Sequence, residues 1–326
     1  WRAMWRADVT LQYSDGDVMK EKSFPLYRTH RGPVTGKLEG HWVSTRLNWD
    51  PVNALRQSFL RTKQSSHDEF DEIMQIRTNS SNNTVFADSS GNIAYYHGNF
   101  MPRRDARFDY SRPLDGTDPA TDWQGLHTVE ETITLLNPAS GWIQNCNSTP
   151  FTAAGQYSPV RDQYPEYMAP DPENYRGVHA VRLLRDRAAG PADKLSLNEL
   201  IAMAYHPRLP AFEHLLPPLL QAWEDHRDPE LKRAVYTLRE WDYSVSLDSV
   251  AMSLAHFYAE AVMQGRDSRL YPGRMQWMQH YLATTADTAQ LSVLKQVMAD
   301  MSARYGRWDK PWGEINRYQR LDGAIT

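Results

Sequence analysis

The stretch Asn137–Pro150 reads NPASGWIQNCNSTP. A Pro-X-Ser-Gly turn leads into two asparagines, Asn145 and Asn147, which flank Cys146, the chain's single cysteine. Three readings compete: the thiol is a nucleophile, one of the amides is a working group, or the segment is only a turn. A catalytic thiol needs a neighbouring base and a lowered pKa. His127 and His179 are distant in sequence, and an isolated Cys is more often an inert small hydrophobe. An Asn side chain offers an N–H donor without charge, and held rigidly after a tight turn it can face a developing oxyanion. The same residue type is also the usual former of an Asx-turn. Residue chemistry alone leaves the last two readings open.

Around this stretch, composition sets the bounds. The chain has 326 residues, enough for one large domain or two ordinary ones with a sizeable core. Apolar residues make up 41% and charged residues 23%, as in a globular protein. The net charge of -4 is no footprint for nucleic acid. No apolar run reaches membrane-spanning length. One cysteine excludes an internal disulfide and any zinc site built on several thiols. The opening Trp1-Arg2-Ala3-Met4-Trp5 has neither an initiator Met nor a signal-peptide pattern, and the last residues, Leu321 to Thr326, stop after a turn signal. A processed or truncated chain is the expectation.

The first half reads mainly as strands. Ala7–Tyr13 alternates apolar and polar residues. Phe24–Val34 reads as a strand ending in a Gly-Pro turn. Helical stretches are predicted at Pro51–Thr62 and Asp68–Ile76, with Pro51 suited to a first turn. Thr84–His97 reads as a hairpin around Ser-Ser-Gly-Asn. Met101–Asp122, rich in Pro, Asp and Arg, reads as a long ordered loop. Past a boundary near Ala188-Ala189-Gly190-Pro191 the pattern turns helical. Ser196 and Glu199 form a capping box opening a helix through Tyr205. Further helices are predicted at Phe212–Trp223, Glu230–Trp241, Ser249–Gln264, Met275–Thr284 and Thr288–Tyr305.

Other candidate sites are weaker. Ser66-His67-Asp68-Glu69 resembles a metal cluster, but adjacent helical residues do not share a face, so a solvated helix start is favoured. The carboxylates Glu166, Asp171 and Glu173 have no face-forming spacing, and a solvated loop is preferred to a cation site. There is no HExxH, GxSxG or phosphate-binding loop.

Several pieces, in one order, resemble the penicillin acylase family of N-terminal-nucleophile hydrolases. Thr29-His30-Arg31-Gly32-Pro33-Val34 is similar to that family's T-V-H-G strand, and Phe86–His97 to its Y-A-D-x-x-G-N-I-G-Y hairpin. Asn137–Pro150 resembles N-P-x-S-G-Y-I-x-N-W-N-N-x-P. Tyr175-Arg176-Gly177 followed by Arg182-Leu183-Leu184 resembles a segment with a second active-site residue. Arg304–Trp308 and Trp312–Arg317 resemble the stretch before a C-terminal sheet.

The resemblance implies an α+β fold, the four-layer αββα sandwich, here partial, over residues 1–190, with an appended helical lobe at 191–326. It implies that Asn147 is the oxyanion-hole residue and that Arg176 is an active-site support with a buried guanidinium. Cys146 stands where penicillin G acylases carry Trp, which argues against a thiol mechanism and points to the acyl-homoserine-lactone and aculeacin acylase branch. The family's nucleophile is an N-terminal Ser of the large subunit whose own α-amine acts as base. That Ser lies upstream of the T-V-H-G strand, so it is expected to be missing here and the chain to be a partial large subunit. The implied activity is hydrolysis of a linear amide, with a small subunit from the same precursor as partner and an acyl-amide substrate. No catalytic cofactor is implied; the resemblance allows a structural calcium in the complete enzyme and a periplasmic or secreted location. The competing class is a non-catalytic homologue using the same cleft.

Overall fold

A computed structural model describes residues 2–79, 82–190 and 195–317. The expectations attached to Trp1, Pro191 and the closing stretch 321–326 lie outside the described residues. The chain groups into two compact, interleaved units. One gathers the described residues of 1–92, 96–134 and 162–168; the other gathers those of 93–95, 135–161 and 169–326. The boundary read near residue 190 falls inside the second grouping, between two of its helices.

The first unit opens with strands β1 (Trp5–Asp15) and β2 (Val18–Arg28), an antiparallel ribbon in unbroken register from Trp5 opposite Arg28 to Asp15 opposite Val18. Its tight turn is Asp15-Gly16-Asp17, with Gly16 at φ 65°, the left-handed region where glycine carries no Cβ penalty. The two loop residues are Gly16 and Asp17, and a Gly-Asp pair between strands is a hairpin signal. β2 stops at Arg28 instead of running on to Val34. Thr29 explains the stop: its N–H donates to the Gly32 carbonyl at 2.8 Å, and its hydroxyl accepts from the Arg31 N–H at 3.1 Å. These local bonds replace a strand ladder. A second antiparallel pair follows, β3 (Val34–Leu38) with β4 (His41–Ser44).

Helices α1 (Pro51–Leu60) and α2 (His67–Met74) come next, close to their predicted spans. Asp50 and Ser66 cap them by accepting from the N–H groups of Asn53 and Glu69. Ser66 thus starts a helix as read, but His67 is not solvated. Its side chain is 13% exposed, and its Nε2 lies 3.0 Å from the Tyr96 hydroxyl. Phe70 and Met74 are buried on the same helix. The predicted hairpin is present as β5 (Thr84–Ala87) and β6 (Ile93–Tyr96), and β7 (Thr134–Leu136) pairs with β6 to complete a three-stranded sheet. Met101–Asp122 is the expected ordered loop, relieved by one 3-10 turn at Pro119–Thr121.

The second unit contains α3 (Tyr175–Ala188), which the apolar pattern did not reveal, and then α4 (Leu197–Ala204), with both bonds of the Ser196–Glu199 capping box formed. The remaining helices follow the prediction: α5 (Ala211–His226), α6 (Lys232–Arg239), α7 (Val250–Gln264), α8 (Arg274–Thr284) and α9 (Asp287–Tyr305), with a last short turn α10 (Trp312–Ile315). α5 and α7 pack against α9. Leu215, Leu219, Leu238, Leu254, Tyr258 and Leu294 are wholly excluded from solvent there.

Candidate functional site

The site is built where the Asn137–Pro150 stretch meets the first turn of α3. Both lie in the second unit. Two anchors hold α3 on the helical core. The Tyr175 hydroxyl reaches the Met278 sulfur on α8 at 3.3 Å. Arg182 makes a two-pronged bond to Glu213 on α5, at 3.0 and 2.9 Å, the geometry that suits a guanidinium and a carboxylate best.

Asn174 caps α3 and joins it to the loop. Its Oδ1 accepts from the Gly177 N–H at 3.0 Å, while its Nδ2 donates to the carbonyls of Cys146 at 3.2 Å and Asn147 at 3.0 Å. One side chain therefore satisfies groups of both segments. Gly177 permits the close approach. A Cβ at that position would stand 2.5 Å from both Glu173 Oε1 and Ser148 Oγ, so no larger residue fits without displacement. Glu173 is tied down rather than solvated: it accepts from the Thr152 hydroxyl at 2.7 Å and from the Asn174 N–H at 2.8 Å. This corrects the loop reading at Glu173, whereas Glu166 and Asp171 are exposed.

The two amides divide the readings that sequence left open. Asn145 forms the Asx-turn, its Oδ1 accepting from the Asn147 N–H at 3.4 Å. Asn147 sits at φ 51°, a left-handed conformation that Asn tolerates better than most residues. Its side chain is exposed, and its Oδ1 accepts from Arg176 Nη2 at 3.3 Å. A guanidinium only donates, so it orients the amide oxygen toward itself and turns the Nδ2 hydrogens away. Arg176 itself is exposed, not buried as expected. The reason is its position in the first turn of α3, where Tyr175 and Gly177 take the inward side. A cation there opposes the helix dipole, so helix stability is not what places it.

Cys146 is half-buried between these amides. Burial pushes its thiol pKa above the usual value, against a smaller opposing pull from the Arg176 charge. The thiol stays protonated at neutral pH, which is the opposite of what a nucleophile needs. Among the described residues no three His, Cys, Asp or Glu side chains are grouped to hold a metal ion.

Sequence reading brought Asn147 and Arg176 forward, and the structure brings them into contact. It gave no role to Asn174 or to Gly177. Their signal was present as an Asn three residues before a Gly at a helix start, a capping pattern.

The profile of the penicillin amidase family matches residues 1–323. Over 68 residues the chain is 40% identical to penicillin G acylase of Escherichia coli, a match covering 21% of this chain and 8% of that protein. The fold is similar to that of a thermostable penicillin G acylase from Alcaligenes faecalis, with a TM-score of 0.67 and 19% identity, over 96% of this chain and 62% of that one. The chain thus spans less than two thirds of the length of these relatives. By its sequence match from end to end and by its fold, this chain belongs to the penicillin amidase family.

Proposed function

We propose that this chain carries the oxyanion-stabilising part of a linear-amide hydrolase, with Asn147 as donor and Arg176 as the residue that aims it. The observation carrying this reading is the Arg176 Nη2 to Asn147 Oδ1 contact. It turns the Asn147 Nδ2 hydrogens toward an oxygen that gains charge when the amide carbonyl is attacked. Such a donor accelerates the reaction because its bond is stronger in the transition state than in the ground state. The Arg176 charge adds a favourable field at the same place.

In the complete protein the attacking group would be an N-terminal Ser, not one of the residues assigned here, with its own α-amine as base. An α-amine titrates at about 7.7 to 8.0, low enough to accept a proton near neutral pH. The substrate class would be an acyl amide: an acyl-homoserine lactone, a lipopeptide or an acylated β-lactam. Cys146 in place of Trp favours the lactone and lipopeptide branch. The partner would be a small subunit released from the same precursor, and the location periplasmic or secreted; family membership supports both.

Asn147→Ala in the complete enzyme is expected to lower turnover by roughly a hundred- to a thousandfold with little change in KM. Asn145→Ala, which removes the Asx-turn acceptor and not the proposed donor, should cost far less. A larger loss at Asn145 would transfer the role to that amide. No loss at either would remove the oxyanion role from this loop, and no turnover in the unsubstituted complete protein would leave the non-catalytic reading in place.

A further inference from the structure

The start of α3 grips Asn147 in two ways. Arg176 holds its side chain through Oδ1. Asn174 holds the main chain on both sides of it: Nδ2 donates to the Cys146 carbonyl at 3.2 Å and to the Asn147 carbonyl at 3.0 Å. An amide has two N–H donors, so both are used on this loop. The two carbonyls face one donor because of the conformation between them. A left-handed residue turns the peptide units before and after it to the same side, as a helical turn does, and Asn147 is at φ 51°. A residue with a Cβ persists in that conformation only where its surroundings hold it. The hold from within the loop is slight, since the bond from the Asn147 N–H to Asn145 Oδ1 is 3.4 Å long.

Capping alone does not account for an Asn at residue 174. Its Oδ1 takes the Gly177 N–H at 3.0 Å, and Asp or Ser caps a helix equally well. Asp would also suit the positive end of the helix better, the more so with the Arg176 cation in the first turn. What Asn adds is a donor that works while the cap is made. An ionised carboxylate only accepts, and its second oxygen would face two carbonyl oxygens.

We infer that Asn174 is a positioning residue of the reaction. By clamping the carbonyls of Cys146 and Asn147 it fixes the left-handed turn from which the Asn147 amide reaches the developing oxyanion. It acts through Asn147, so this inference rests on the role proposed for that residue.

A double-mutant cycle in the complete enzyme tests it, with Asn174→Asp, Asn147→Ala and the two combined. Asn174→Asp keeps the cap and loses the clamp. It should lower kcat about tenfold or more with little change in KM, while circular dichroism stays unchanged. Asn174→Ser, which caps but is too short to span both carbonyls, should behave alike. In the Asn147→Ala background, Asn174→Asp should cost less than about twofold further, because no donor is left to position. A loss there as large as in the unsubstituted enzyme would show that Asn174 serves the fold alone, and would overturn the inference. Full kcat in both Asn174 variants, beside a large loss in Asn147→Ala, would overturn it and leave the role of Asn147 standing. No loss in Asn147→Ala would remove both.

Discussion

The helices α5 to α9 and the ribbon β1–β2 both contain many large apolar side chains, yet they treat them in opposite ways. Leu215, Leu219, Leu254, Tyr258 and Leu294 lose all contact with solvent. Leu11, Tyr13, Met19, Phe24 and Leu26 keep between 41% and 63% of theirs. The difference comes from geometry. A helix gathers its apolar residues on one stripe, and a few such stripes enclose a core. A two-stranded ribbon has two faces and, within its own pair, nothing to cover either. What fixes the ribbon is its ladder and its cross-strand pairs, such as the Thr10 and Ser23 hydroxyls at 2.8 Å and Gln12 to Glu21 at 3.1 Å. Stability in the bundle therefore resides in side-chain packing, and in the ribbon in backbone pairing.

The sharpest way to break this contrast is a cavity in the bundle. Leu254 is wholly buried on α7. Leu254→Ala removes its packing and leaves a void, a change that costs about 2 to 5 kcal/mol. Denaturant unfolding of the variant, followed by helical circular dichroism, measures it. A loss under 1 kcal/mol would mean the bundle tolerates gaps and is not the tightly packed region described here.

How much of this was legible in the sequence follows the same division. The helices past residue 196 were readable because capping box, Pro and apolar period agree there. α3 was not, although it positions the candidate site. Its run Tyr175 to Ala188 is rich in Arg, and its burial is limited to Gly177, so it shows no apolar stripe. Its start depends on Asn174, whose cap is recognisable only once a helix is suspected. Asn147 was reachable through family resemblance, because an exposed amide leaves no periodic signal. The exposure of Arg176 was not reachable at all, since a charged residue in a first helical turn faces solvent or protein according to tertiary packing. The Gly16-Asp17 loop signal between β1 and β2 went unused, and β2 was read as starting six residues late.

A middling effect is expected where the bundle holds α3. Arg182 on α3 and Arg208 both donate to Glu213, which is 18% exposed. The bond to Arg182, with that to Arg208 behind it, pulls the Glu213 carboxyl down to about 2 from 4.5. The folded state thus binds this proton less readily than the unfolded chain. The stabilisation is complete above pH 4.5 and is lost as pH falls toward 2. Glu213→Gln should cost about 1 to 3 kcal/mol at neutral pH and flatten the acid limb of the stability profile. An unchanged acid limb in the variant would show that α3 is held by packing alone, which would extend the side-chain regime of the bundle to the candidate site.

The smallest effect tests the other half of the contrast. Leu11 lies mid-strand in β1, 55% exposed, opposite Lys22. If the ribbon is held by its ladder, then Leu11→Ser removes little buried surface and leaves every backbone bond in place. Substitutions of that kind change stability by no more than about 0.5 kcal/mol. The residue before it, Thr10, already pairs through its hydroxyl with Ser23, so a hydroxyl at this level of the ribbon is compatible with the ladder. Amide hydrogen exchange across Trp5–Arg28, with unfolding of the 326-residue chain, reads both quantities. A stability loss above 1 kcal/mol, or faster exchange along the whole ribbon, would mean that the Leu11 face is covered in solution. The ribbon would then belong with the bundle, as packed structure.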